Sequence, residues 1–358
     1  MKTFLRTAVA LIFIASGFVK AVDVVGFSFK LEEYFSESVF NIKFLEEIVL
    51  PIAIFVVALE LILGFMLLLK LHIKKTLAAL IALCVFFAFL TFYSAYFNKV
   101  TDCGCFGDAV KFTPWQSFIK DIVLLLGLIV LWFLYRKNFK INEEKSSFRK
   151  TILVISMVAT AFIISWGIFS EPMIDFRDYK IGTNIIAERL KIEENPPVYK
   201  VSYTMENSKT GEIKLVNQDD YVNDEQYWKE GTAWKILKGK DITEQTEEGY
   251  TSEISKFRIE DETGNDITDI ILDAPKAAIL FSYSPEKADK KSLEKAETKL
   301  SAEKNILIIG VSPDRNLFKK IPVGFMDATA IKTIARSNPS ILILEKGKIT
   351  EKMPAENY

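Results

Sequence analysis

Histidine is almost missing from this 358-residue chain: His72 stands alone, which excludes histidine-rich metal centres. Cysteine is nearly as scarce. Three residues, Cys84, Cys103 and Cys105, cannot build a framework of several disulfides, so any redox chemistry must use the close pair Cys103 and Cys105. An excess of charge of either sign is missing too. With a formal net charge of -1 and no basic stripe interleaved with aromatics, the chain has no footprint for nucleic acid.

What the chain has in quantity is apolar residues, half of the total, and they are unevenly placed. An apolar first half precedes a charged second half, which implies a membrane anchor followed by a soluble domain. Five apolar runs cover residues 3–25, 48–69, 76–97, 115–135 and 151–169. Each is near the ~20 residues that cross a hydrocarbon core about 30 Å thick, and backbone in lipid must satisfy its own hydrogen bonds, so helices are expected. Residues 26–45 read as a polar, Phe-rich connection. A cleaved signal peptide is the alternative for the first run, because Lys2 and Arg6 precede a short apolar core. Against cleavage, no small-x-small site follows cleanly and Lys20 can snorkel to the interface.

Lys2, Arg6, Lys70, Lys74, Lys75 and the group Arg136, Lys137, Lys140, Lys145, Arg149 and Lys150 fall in alternate connections, which the positive-inside rule places in the cytoplasm. The cysteine loop and everything after residue 170 are then expected outside, in the periplasm of a bacterium, with the chain in the inner membrane. Three ionisable residues inside the runs are candidate functional groups. Glu60 interrupts the second run, where a carboxyl is costly; a proton relay or quinone contact stands beside a hydrogen bond that only glues helices. Lys120 and Asp121 lie little more than a turn into the fourth run, as proton or quinone contacts or as an interfacial anchor. Cys84 sits among Leu83, Val85 and Phe86 and reads as packing.

Between the third and fourth runs stands Asp102-Cys103-Gly104-Cys105-Phe106-Gly107-Asp108. Two cysteines separated by one glycine can reach disulfide geometry, and so small a ring is strained and prone to exchange. An inert bridge that ties down the loop is the alternative. A metal is not expected, because the lone histidine lies toward the opposite side.

These residues carry a resemblance. The segment Ser16-Gly17-Phe18-Val19-Lys20, the cysteine loop, and Phe112-Thr113-Pro114-Trp115 through Lys120-Asp121 resemble MauE/DoxX-type membrane proteins over residues 1 to about 135. The usual Asp-Pro-Leu-Gly turn is Asp23-Val24-Val25-Gly26 here, a mild departure. The resemblance implies disulfide handling, electron transfer to quinones, and maturation of periplasmic proteins, as in methylamine utilisation.

Residues 172–272 read as a β-rich connecting region, with short alternating pieces near 199–203 and 212–216. From 273 to 358 the pattern is strand, helix from 285 to 299, strand, short helix, and a hairpin, a βαβ plus ββ sheet. Asn338-Pro339 before the penultimate strand resembles the cis-proline of thioredoxin, while Ser282-Tyr283-Ser284-Pro285 stands where thioredoxin carries its cysteines. The fold is expected to be thioredoxin-like and the redox motif absent. The whole layout, a MauE/DoxX-like membrane domain over 1–171 and a cysteine-free tail, resembles DoxX-family proteins of Bacteroidetes.

The functional expectation is thiol redox through Cys103 and Cys105, between a periplasmic thiol partner and a membrane quinone, with Glu60, Lys120 and Asp121 in support. No cofactor is expected to be bound covalently. The competing expectation is a non-enzymatic scaffold or assembly factor with a structural disulfide.

Overall fold

The computed structural model describes residues 2–97, 99, 104, 106–110, 112–136, 147–237, 241–247 and 249–358. Met1–Gly182 and Ile259–Tyr358 form one compact unit and Thr183–Arg258 a second.

In the first unit, five helices among the described residues are long and apolar enough to cross a membrane. They are α1 (Lys2–Val22), α4 (Val49–Leu68), α5 (Ile73–Phe97), α6 (Pro114–Tyr135) and α7 (Ser147–Phe169), with α2 (Val24–Phe35) and α3 (Lys43–Glu47) between the first two. Their ends are set by local chemistry. Arg6 Nη1 donates to the carbonyls of Leu67 and Leu68 at 2.8 and 2.5 Å, so the start of α1 covers the open end of α4. Thr113 and Gln116 form a capping box with Pro114 at the first helical position, which fixes where α6 begins.

The connection expected over 26–45 is largely helical. Val24, Val25, Phe27, Leu31, Tyr34 and Phe35 are buried on one face of α2, at the spacing of an amphipathic helix. Glu32, Glu33 and Glu37 give the segment its polar look. Asp23 caps it, accepting from Gly26 N at 2.8 Å.

Of α7, only Thr160, Ile164 and Gly167 are buried. A Cβ on Gly167 would meet the Val22 carbonyl at 2.9 Å, so the two backbones touch there.

The second unit begins at Thr183, after α7 and the segment that follows it. Here α8 (Ile185–Glu194) precedes β1 (Val198–Asn207), β2 (Ile213–Asn217), α9 (Gln218–Asn223), β3 (Trp234–Ile236) and β4 (Ile242–Glu247). Strand β1 pairs antiparallel with β2, β3 and β4, and Met205, Val216 and Tyr227 form a small core.

The first unit resumes with α10 (Thr268–Asp273), β5 (Ala277–Phe281), α11 (Lys290–Ser301), β6 (Leu307–Ser312), β7 (Val323–Phe325), α12 (Ala328–Ile334), β8 (Ser340–Glu345) and β9 (Lys348–Pro354). The sheet order is β7-β6-β5-β8-β9. Strands β5, β6 and β7 are parallel, β8 pairs antiparallel with β5, and β9 pairs antiparallel with β8. Every residue of β5 is buried, as its unbroken apolar run requires for a central strand covered on both faces. The helix expected from 285 begins at Lys290, because Asp289 accepts from the amides of Lys291 and Ser292 and ends the turn before it. The Asn338-Pro339 bond is cis.

Buried charge ties this α/β domain to the exit of α7. Arg177 pairs with Glu171 at 2.6 Å and Asp175 at 2.7 Å, and donates to the Ile334 carbonyl at 2.9 Å. Lys352 of β9 reaches Asp175 at 2.9 Å and the Tyr179 carbonyl at 3.0 Å. Burial outweighs these partners at Lys352 and lowers it to about 8, helped by repulsion from Arg177. Asp175 is held well below the carboxylate range: burial alone would raise it, but Arg177 and Lys352 prevail.

Candidate functional site

Four ionisable residues of the apolar runs converge on one place. Lys20, Glu60, Lys120 and Asp121 line an internal cavity of about 10 Å³ with Ser16, Cys84 and Phe87. Such a volume holds about one water, whereas pockets for organic ligands run to about 300 Å³ or more. A space of that size has no room for an organic ring.

Lys20 does not snorkel. Its Nζ lies 2.7 Å from Glu60 Oε2, with both side chains only 2% exposed. It also donates to Ser16 Oγ at 3.1 Å and sits 4.6 Å from the Phe87 ring and 5.5 Å from that of Phe27. Phe27 belongs to α2, the helix missed in the sequence, and it lies over the lysine where an interface was expected. Glu60 is thus half of an ion pair.

Lys120 and Asp121 pair with each other at 3.0 Å, and Asp121 accepts from Thr91 Oγ1 at 3.2 Å. Asp121 is buried, so this pair is not a purely interfacial anchor. Two cations and two carboxylates leave the cavity formally neutral, the arrangement a low-dielectric interior tolerates. Cys84 donates to the Asp121 carbonyl at 3.2 Å, joining α5 to α6.

Cys103, Cys105, Asp102 and Lys111 lie outside the described residues. Their described neighbours in the loop lie near this cavity and α2. Gly104, at φ +61°, has the Lys30 side chain of α2 so close that a Cβ would meet it at 2.9 Å. Phe106 lies under Lys120, whose Nζ is 5.2 Å from the ring centre. Lys120 therefore touches the cysteine loop with one contact and the cavity carboxylate Asp121 with another.

The short 3-10 turn Gly107–Ala109 that follows meets the α/β domain. Arg336, just after α12, sends Nε to both oxygens of Asp23 at 2.9 and 2.8 Å and Nη2 to Asp108 at 2.8 Å. Burial raises Asp108 above its ordinary value despite this guanidinium. At Asp23 burial acts upward as well, but Arg336 and Arg177 bring it below. Sequence reasoning missed Arg336, since its partners lie hundreds of positions away; the only signal was an arginine beside Asn338-Pro339.

The fold and these buried groups define a multi-pass membrane protein whose helical bundle carries a polar core and is followed by an α/β domain. Residues 1–134 match the family described as "Methylamine utilisation protein MauE", over the stretch where the resemblance was expected. The chain is also similar to "Protein TlpB" of Flavobacterium psychrophilum, 29% identical over 182 residues. That match covers 47% of this chain and 47% of the relative, so the chain spans about half the length of the curated relative it matches. No solved structure matches the chain.

Proposed function

We propose that the protein is a membrane thiol-redox protein in which Cys103 and Cys105 alternate between dithiol and disulfide. The MauE match supports the reading in that the matched stretch, residues 1–134, contains Cys103 and Cys105 together with Glu60, Lys120 and Asp121. In the forward step a partner's two thiols become a disulfide while the Cys103–Cys105 disulfide becomes two thiols. Two electrons and two protons then leave that dithiol for a membrane quinone, which becomes the hydroquinone and restores the bridge. Each cycle must move two protons. The observation that carries the reading is Lys120, poised between Phe106 of the loop and Asp121 of the cavity. Lys120, Asp121, Glu60 and Lys20 are the groups that would pass protons, with the quinone meeting the protein elsewhere.

The loop and the α/β domain belong on the periplasmic side of an inner membrane in this reading, on the distribution of Lys and Arg. Thiol trapping in intact cells tests the chemistry: Cys103 and Cys105 should appear as a mixture of states that shifts when respiration is inhibited. A permanently oxidised pair whose Cys103→Ser variant keeps full function would refute it. A reporter fused after Tyr358 tests the orientation and should be active only outside the cytoplasm.

A second reading has an observation of its own. The buried charges of Arg177 and Lys352 weld the α/β domain in place, which favours a rigid assembly scaffold in which the disulfide is only structural.

A further inference from the structure

The α/β domain meets the membrane domain through a set of contacts centred on α2. Phe29 receives Tyr283 edge-on, with ring centres 5.2 Å apart, and lies beneath Lys332 at 5.0 Å and Arg336 at 5.6 Å. Lys332 pairs with Glu32 at 2.6 Å. Arg336 is 4% exposed, and each of its three guanidinium nitrogens is engaged: Nε by Asp23, Nη2 by Asp108, and Nη1 by the Lys332 carbonyl.

The backbone is shaped for this contact. A Cβ on Gly26 would lie 2.8 Å from Arg336 Nη2 and 2.5 Å from Asp23 Oδ2, so only glycine leaves room for the guanidinium. Asp23 does two tasks at once, capping α2 through Gly26 N and receiving Arg336. Asp108 is three residues beyond Cys105, on the turn that closes the cysteine loop. One arginine of the α/β domain thus grips both the start of α2 and the end of that loop, while Lys30 of α2 flanks Gly104 inside it.

We propose that Arg336 is a positioning residue for the cysteine loop: the α/β domain docks in cis on α2 and the Gly107–Ala109 turn, and thereby sets the dithiol–disulfide balance of Cys103 and Cys105. The face bearing Tyr283 and Arg336 is then committed to the chain's own membrane domain and is not a free surface for clients. The consequence for the cysteines rests on the thiol-redox reading; the docking does not.

The test uses the full chain in nanodiscs, in a Cys84→Ser background, comparing the parent with Arg336→Ala, Arg336→Lys and Asp108→Asn. Two quantities are read on each sample: amide exchange over Val24–Phe35, and the oxidised fraction of the cysteine pair across a series of glutathione ratios. Arg336→Ala should lose exchange protection over α2 and shift the thiol–disulfide equilibrium constant by about tenfold or more, a size readily resolved in such a titration. Asp108→Asn removes the charge from a single contact without disturbing the α/β core and should shift the equilibrium with α2 still protected. Arg336→Lys, which keeps the charge, should recover part of both effects. Loss of protection with an unmoved equilibrium would overturn the positioning role and leave a structural strut. Unchanged protection in Arg336→Ala would overturn the docking. A parent pair that stays oxidised at every ratio would overturn the thiol-redox reading and the positioning role with it, while the exchange data would still decide the docking.

Discussion

Removing either half of the Lys20–Glu60 pair should be far more damaging than removing both. At 2.7 Å the two charges attract by about 6 kcal/mol at an effective dielectric constant near 20. Each also gave up several kcal/mol of hydration to become buried, so the pair as a whole contributes little net stability. Glu60→Gln leaves the ammonium beside Phe87 and Phe27 with neutral acceptors, Ser16 Oγ and the new amide oxygen, in place of its paired charge. Lys20→Met leaves the Glu60 carboxylate buried without its cation. Each single change is expected to cost about 3–5 kcal/mol, and the double change, Lys20→Met with Glu60→Leu, about 1 kcal/mol or less. The assay is reversible unfolding of the full chain in detergent or nanodiscs by chemical denaturant, followed by tryptophan fluorescence under identical conditions. If the double variant costs as much as the two singles combined, the residues are independent and the ion-pair account is refuted. The stable double variant also has a use in testing function, because a protein that keeps its fold but reoxidises its cysteines slowly would separate proton transfer from architecture.

Further expectations concern the junction with the α/β domain. Gly26→Ala should lower stability by about 1–3 kcal/mol and expose the Arg336 contact to exchange, since the added methyl lands on Asp23 and Arg336; thermal melts with amide exchange check it. Arg177→Met should cost about 3–5 kcal/mol by leaving Glu171 and Asp175 with Lys352 alone, as read from denaturant midpoints. Lys352 releases its proton at about 8 in the folded protein against 10.5 when unfolded, so between these values the unfolded chain holds more protons. The unfolding free energy should therefore rise with pH from about 8 to 10.5, and Lys352→Met should flatten that slope in a pH series of unfolding curves.

The membrane bundle could be read from the chain because lipid imposes a length and a composition that few other environments do. All five runs reappear as helices, most with ends within a few residues of the reading. Helix α2 escaped because its apolar face is diluted by Lys30, Glu32 and Glu33, and a hydropathy run sees an average where a helix has sides. Glu60, Lys120 and Asp121 stood out as costly residues, but their meeting with Lys20 did not, since contacts across 40 positions leave no local pattern. In the α/β domain the alternation of apolar strands and helices was plain, and Asp289 was the overlooked punctuation that moved the start of α11. Arg336 was the least legible of all. Its carboxylate partners are 313 and 228 positions away, and apart from its place beside Asn338-Pro339 nothing local distinguishes it from a surface arginine.

Helix α7 is packed most closely at one end, with Ile152, Leu153 and Ser156 of the other half only partly buried. Its buried residues, Thr160, Ile164 and Gly167, all lie in the half near Phe169, while Val154, Ile155 and Val158 farther back are exposed. Gly167 pins that end on the Val22 carbonyl, and the Arg177 cluster begins soon after it. A bilayer that thickens or thins acts on the free half, which can tilt about the pinned glycine. The α/β domain, fastened beyond the pivot, keeps its seat over α2 as the lipid changes. The last membrane crossing therefore works as a compliant mooring, and the rigid link between the two parts of the unit is borne by the charges outside it.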